Sequence, residues 1–180
     1  MTNEPALFEV LKELGNYLEF DVREQVEASE SAWVDMVWFD RHLPVGPHHL
    51  KMRYAPVLPV VALEVELKTG LNAKHVKGSV SNLNNLGAQL GVIVIGNGNL
   101  DALKKQTAHT IETDEEIKQI LRDRVYRWIY AEAQPRGRII MMFEDEVRAW
   151  DKKVRAAPGP ASSTLFDPPT ESPIEPQVPV

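Results

Sequence analysis

The chemistry this sequence offers rests on Asp35, in the segment Trp33-Val34-Asp35-Met36-Val37-Trp38-Phe39, and on Glu64, Glu66 and Lys68, in the segment 59–70. Successive side chains of a strand alternate faces, so Glu64, Glu66 and Lys68 share one face. Val61, Leu63, Val65 and Leu67 take the other, toward a core. Val60 and Ala62 begin the charged face as apolar residues, so this face leaves the core and enters a cleft. Asp35 interrupts a strand that is otherwise apolar on both faces. A carboxylate set among Trp33, Val37 and Phe39 is costly to bury unless its charge is compensated. A divalent cation shared with Glu64 or Glu66 would compensate it, since hard cations take carboxylate oxygens.

The elements that must carry these residues follow from periodicity. Pro5 suits a first helical position and Gly15 the position past the end, with Leu7, Phe8, Leu11 and Leu14 forming an apolar stripe between them. Leu18, Phe20 and Val22 alternate with Glu19, Asp21 and Arg23 as a half-exposed strand. The Asp35 strand and the Glu66 strand come next. Val76, Val80, Leu83 and Leu90 fall near helical spacing, and Gly91-Val92-Ile93-Val94-Ile95-Gly96 reads as a buried central strand. The predicted order is α-β-β-β-α-β, an α/β mixed sheet flanked by helices. Helical and strand additions follow: a short helix from Asn99 to Ala108, and a long helix opened by the capping box Thr113-Asp114-Glu115-Glu116. That helix has an apolar face of Ile117, Ile120, Leu121, Val125, Trp128 and Ile129. A turn at Gln134-Pro135-Arg136-Gly137, a strand from Arg138 to Phe143 and a closing helix with Val147, Trp150 and Val154 complete the chain's body.

Val34-Asp35 followed by Glu66-Leu67-Lys68 resembles the signature of the PD-(D/E)xK, or restriction-endonuclease-like, nuclease superfamily. Val34 stands where that signature has its proline. Glu64-Val65-Glu66 also fits the superfamily's acid-x-acid variant, so two registers are open. The resemblance spans roughly the first hundred residues, through the order of elements as well as the motif. It implies a Mg²⁺-dependent (or Mn²⁺-dependent) endonuclease acting on DNA, of restriction, repair or mobile-element type. Asp35 and Glu66 would hold the metal, with Glu64 binding a second ion or replacing Glu66. Lys68 would orient the attacking water and neutralise developing charge. The competing reading is a catalytically inactive member of the same fold that binds DNA or protein. Cutting both strands at once would need two active sites and hence a homodimer.

Composition bounds these readings. Residues 1–155 suffice for one well-buried domain. Residues 156–180 hold seven of the 13 prolines and no Lys or Arg, the composition of a disordered tail that would recruit a protein partner. Net charge is -6, and three of the 26 acidic residues lie in the tail, leaving 23 against 20 basic residues in the body. Such a body does not bind DNA by charge alone. A local basic rim is available in Lys51, Arg53, Lys74, Lys77, Lys104, Lys105, Arg136 and Arg138. Absence of cysteine fits a reducing cytoplasm. The N-terminus lacks a signal-peptide pattern, and no apolar run approaches the ~20 residues of a membrane span.

Other candidates read as ordinary structure. Glu9 and Glu13 are exposed helix carboxylates, although some superfamily members take an extra metal ligand from this helix. His42, His48 and His49 sit in the long connection 40–58 without the spacing of a metal site. Asn82, Asn84, Asn85 and Gln89 are suited equally to reading base edges and to capping. Gly96-Asn97-Gly98 is a turn, because Asp101 stands where a dinucleotide-binding loop needs its third glycine. Trp33, Trp38, Trp128 and Trp150 fall in apolar patterns and are expected in the core.

Overall fold

A computed structural model describes residues 6–42, 58–67, 71–107, 113–132 and 137–157. The elements in chain order are α1 (Leu7–Tyr17), β1 (Asp21–Ser29), β2 (Ala32–Phe39), β3 (Pro59–Glu66), α2 (Ala73–Leu86), β4 (Leu90–Ile95), α3 (Asn97–Thr107), α4 (Asp114–Glu132), β5 (Ile139–Phe143) and α5 (Glu144–Ala156). The five strands form one sheet in the order β1-β2-β3-β4-β5. β2 pairs antiparallel with both β1 and β3, and β4 and β5 continue parallel to β3. The mixed α/β sheet is therefore built as its periodicities predict. The strand bearing Asp35 lies directly beside the strand bearing Glu64 and Glu66.

Helices cover both faces. On one, Leu7, Leu11 and Leu14 of α1 and Val147 of α5 bury against Met36, Trp38, Leu63, Val92 and Val94. On the other, Val76, Val80 and Leu83 of α2 and Leu121, Val125 and Ile129 of α4 bury against Val37, Phe39, Ala62, Ile93 and Ile95. Alternation along β4 explains why its whole run is apolar: Val92 and Val94 serve one layer, Ile93 and Ile95 the other. The box at α4 forms as expected, with the Thr113 hydroxyl accepting from the Glu116 N–H at 3.3 Å and Glu116 Oε2 accepting from the Thr113 N–H at 3.2 Å.

Several expectations need correction. Gly15 does not end α1; it lies inside the helix, which stops at Leu18 before Glu19 turns left-handed at φ 64°. A Cβ on Gly15 would sit 2.6 Å from Val22 Cγ2 and 2.8 Å from the Trp38 ring, so this glycine is a point of close helix–sheet approach. Gly to Ala inside a helix ordinarily stabilises. Here Gly15→Ala should instead lower stability by about 1–3 kcal/mol through overpacking, read as a fall in Tm. The first strand starts at Asp21, so Leu18 and Phe20 precede it. α3 opens at Asn97, inside the segment read as a turn. Trp33 is 52 % exposed, Leu67 46 % and Ile120 38 %, outside the core to which sequence assigned them. Val60 packs with the α1 layer because Trp38 pairs with Val61 and Phe39 with Pro59, which leaves Val60 as an extra residue.

Part of the sequence reading falls outside the described residues. This holds for Lys68, His48, His49, Lys51, Arg53, Arg136, most of the 40–58 connection, the 134–136 turn and the tail from 158 onward. No helix among the described residues is long and apolar enough to cross a membrane.

Candidate active site

The site is organised by a break in strand regularity. Residues two apart on a strand share a face, yet Met36 packs in the α1 layer and Val34 in the α2 layer. The switch occurs where Asp35 lies across from Gln25, between the paired residues Glu24↔Met36 and Val26↔Val34. Gln25 has a left-handed φ of 51°, a conformation that costs a residue with a side chain about 1 kcal/mol or more. The far half of the β1–β2 hairpin thereby turns onto α2. β2 parts from β3 at the same point: their pairing ends at Met36↔Leu63.

Asp35 occupies the fork. Its Oδ2 accepts the Val65 N–H at 2.8 Å, replacing the backbone bond lost as the strands diverge. Its Oδ1 accepts from Gln25 Nε2 at 3.1 Å. On β3, Glu66 Oε1 accepts the Ser79 hydroxyl at 2.8 Å, and the half-buried carboxylate lies at the C-terminal end of the strand. Glu64 lies deeper, 7 % exposed, with Oε1 accepting from Asn82 Nδ2 at 3.0 Å. Burial pushes the Glu64 carboxyl up to about 8; the Asn82 bond opposes this, and the charges of Asp35 and Glu66 reinforce it. Asp35 and Glu66 are thus near enough to Glu64 for their charges to act on it.

α2 supplies the opposite wall. Asn72 caps it, its side chain accepting from the N–H groups of Lys74 and His75 at 3.0 and 3.2 Å. Val76, Val80 and Leu83 bury in the core, whereas His75, Ser79 and Asn82 recur at helical spacing on a neighbouring stripe. That stripe, with Lys74, faces Asp35 and Glu66 across a cleft of about 580 Å³. Gly78 also lines the cleft, and a Cβ there would meet nothing within 4 Å.

Asn99, 4 % exposed, was not singled out by sequence, yet it ties the site together. Its Nδ2 donates to the Glu66 carbonyl at 2.9 Å and its Oδ1 accepts the Leu71 N–H at 3.2 Å. One amide therefore anchors both ends of the segment that carries Lys68. Gln25, Ser79 and the inward role of Asn82 were also missed. A polar residue beside an apolar helical stripe looks the same in sequence whether it meets solvent or a carboxylate.

The remaining candidates lie elsewhere. Glu13 pairs with Arg155 at 3.3 Å, and Glu9 is exposed on the same helix, across the sheet from the acids. His42 is 3.7 Å from Glu19 on the surface. Asn84 donates to the Glu132 carbonyl and accepts from Arg138, a packing role. Asn85 is exposed, and Gln89 uses its backbone N–H on Pro59. Of the basic rim, Lys77 pairs with Glu132 and Lys104 with Asp114, while Lys74 lines the cleft.

Among the described residues no group of three or more His, Cys, Asp or Glu side chains is arranged to hold a metal ion. Asp35 and Glu66 nonetheless both bring hard carboxylate oxygens to the cleft. Mg²⁺ is commonly held by one or two carboxylates, its remaining positions going to water and substrate phosphate. The residues present fit that ion without an all-protein cage. Compared with protein-family models, curated proteins and solved structures, the chain gives no match.

Proposed function

We propose that this chain is a Mg²⁺-dependent endonuclease with a restriction-endonuclease-like core, hydrolysing DNA phosphodiester bonds at the fork between β2 and β3. The observation that carries the reading is that Asp35 and Glu66 line one cleft. They come from adjacent antiparallel strands, and each is oriented by neutral donors. Asp35 and Glu66 would hold the ion, and Mn²⁺ would be an equivalent occupant. A divalent ion bound there would supply Lewis-acid neutralisation of the scissile phosphate and leaving oxygen, and would lower the pKa of water.

The chain's own residues do the rest. Gln25 and the Val65 N–H fix Asp35, and the Ser79 hydroxyl fixes Glu66, so neither carboxylate must be ordered when substrate arrives. Lys74 on the facing wall adds positive charge where a phosphate backbone would lie. Lys68, two residues past Glu66, orients the attacking water and offsets the negative charge that grows on the phosphate. Glu66 lines the cleft while Glu64 is drawn back to Asn82, which favours Glu66-Leu67-Lys68 as the reacting triplet.

The deciding experiment is incubation of the full chain with supercoiled plasmid. Nicking with Mg²⁺ and none with EDTA is the expected result. Millimolar Mg²⁺ should also raise Tm, because a ligand at ten times its Kd stabilises the native state by about 1.4 kcal/mol. Intact plasmid under both conditions, with an unchanged Tm, would replace this reading with a binding module of the same architecture.

A further inference from the structure

Glycine inside a helix is less stabilising than alanine, and one physical use for it there is close approach to the backbone. Gly15 of α1 shows that use within the protein, where Val22 and Trp38 press on it. Gly78, inside α2, has no such neighbour. A Cβ on Gly78 would meet nothing within 4 Å, and its φ is not left-handed. Neither packing among the described residues nor backbone geometry therefore requires a glycine at this position. What borders it is the cleft, which Gly78 lines together with Lys74, His75, Ser79 and Asn82.

Residues three and four apart on a helix are surface neighbours, about 5–6 Å from one another. Gly78 thus lies between Lys74 and His75, a turn before it, and Asn82, a turn after. The missing side chain leaves a bare stretch of helix backbone between longer side chains. Lys77 and Lys104 are engaged with acids, whereas Lys74 has no ion pair among the described residues. An unpaired ammonium next to bare backbone suits a phosphate that brings the bulk of its sugar with it. A purely apolar ligand would gain nothing from the ammonium, and a small anion would not need the bare backbone.

We propose, resting on the nuclease reading above, that Gly78 is the seat for the substrate's sugar–phosphate backbone on α2, with Lys74 contacting a phosphate one turn away. The test is fluorescence anisotropy of a labelled blunt DNA duplex in EDTA over a range of salt, with Tm measured in parallel. Gly78→Ala should raise Tm by about 2–4 °C through helix propensity. The same variant should weaken DNA binding about tenfold, because its methyl group obstructs the contact. Gly78→Leu should weaken binding further without lowering Tm below wild type, since leucine is also a good helix former. Lys74→Ala should flatten the dependence of log K on log[salt] by about one, the mark of one lost phosphate contact. Lys152→Ala, on α5 across the sheet, should change neither affinity nor slope.

A gain of stability with a loss of binding separates the seat from a glycine that serves only the helix. Wild-type affinity in both Gly78→Ala and Gly78→Leu would overturn the seat, as would a lowered Tm in Gly78→Ala. Undetectable binding of the duplex by wild type, or an equal loss of slope in Lys152→Ala, would overturn it too. Mg²⁺-dependent nicking by wild type, with binding indifferent to Gly78, would remove the seat and leave the nuclease. Binding that depends on Gly78 and Lys74 without Mg²⁺-dependent nicking would do the reverse.

Discussion

Asp35→Asn should reduce Mg²⁺-dependent cleavage by about a thousandfold or more, the consequence of losing roughly 4 kcal/mol of transition-state stabilisation through the ion. The substitution is unusually clean for a half-buried site. Asparagine keeps one oxygen for the Val65 N–H, and the Gln25 amide can rotate to present its carbonyl to the new NH₂ group. The metal-free variant should be at least as stable as wild type, because one of the mutually repelling acids has become neutral. Its Tm should no longer respond to Mg²⁺. Lys68→Ala, by contrast, should remove cleavage while retaining the Mg²⁺-induced rise in Tm, since an ammonium is not a metal ligand. Glu64→Gln should be mild on cleavage if Glu66 and Lys68 form the reacting pair; loss of both cleavage and metal response in Glu64→Gln would install the other register. Full activity in both Lys68→Ala and Glu64→Gln would end the enzyme reading.

The second large effect belongs to Glu64 and concerns stability in EDTA. Its folded-state value of about 8 lies above the ordinary 4.5, so between those limits the native protein holds a proton that the unfolded chain has released. Stability therefore falls as pH rises through this window, the opposite of the usual salt-bridged carboxylate. The full span corresponds to roughly 5 kcal/mol at most. Glu64→Gln keeps an acceptor for Asn82 and carries no charge. The variant should match wild type near pH 4, below the unfolded value, and exceed it by several kcal/mol near pH 9, measured by denaturant unfolding at both values. Parallel pH profiles for the two proteins would mean that Glu64 is ionised and solvated in the native state.

How far the sequence reaches can be judged from particular residues. β4 announces itself because both of its faces are buried, and α4 because Thr113 and Glu116 are chemically committed to a box. Asp35 is conspicuous because nothing else in its strand is charged. These are signals carried by residue type. Gln25 gives no such signal: glutamine has no preference for left-handed backbone, and only the tertiary demand of the fork puts it there. Val60 is hidden for a related reason, since one extra residue in β3 moves a side chain to the other face without changing composition. Gly15 looks like a helix stop because glycine suits both stops and close contacts, and the contact partners Val22 and Trp38 are distant in sequence. Trp33 looks like core because hydropathy takes no account of where a hairpin arm leaves its sheet.

The left-handed residue in β1 also bears on how copies of this chain can meet. β1 is an edge strand, and an edge strand invites another chain to extend the sheet. At Gln25 the row of outward N–H and C=O groups changes direction, so an incoming strand would find only short stretches on either side. Arg23, Glu24 and Glu27 place charges along the same border. The backbone kink that sets Asp35 in the fork therefore also guards this border against sheet-to-sheet polymerisation. Any pairing of two copies to cut opposite strands would have to use side-chain surfaces rather than a shared sheet at β1.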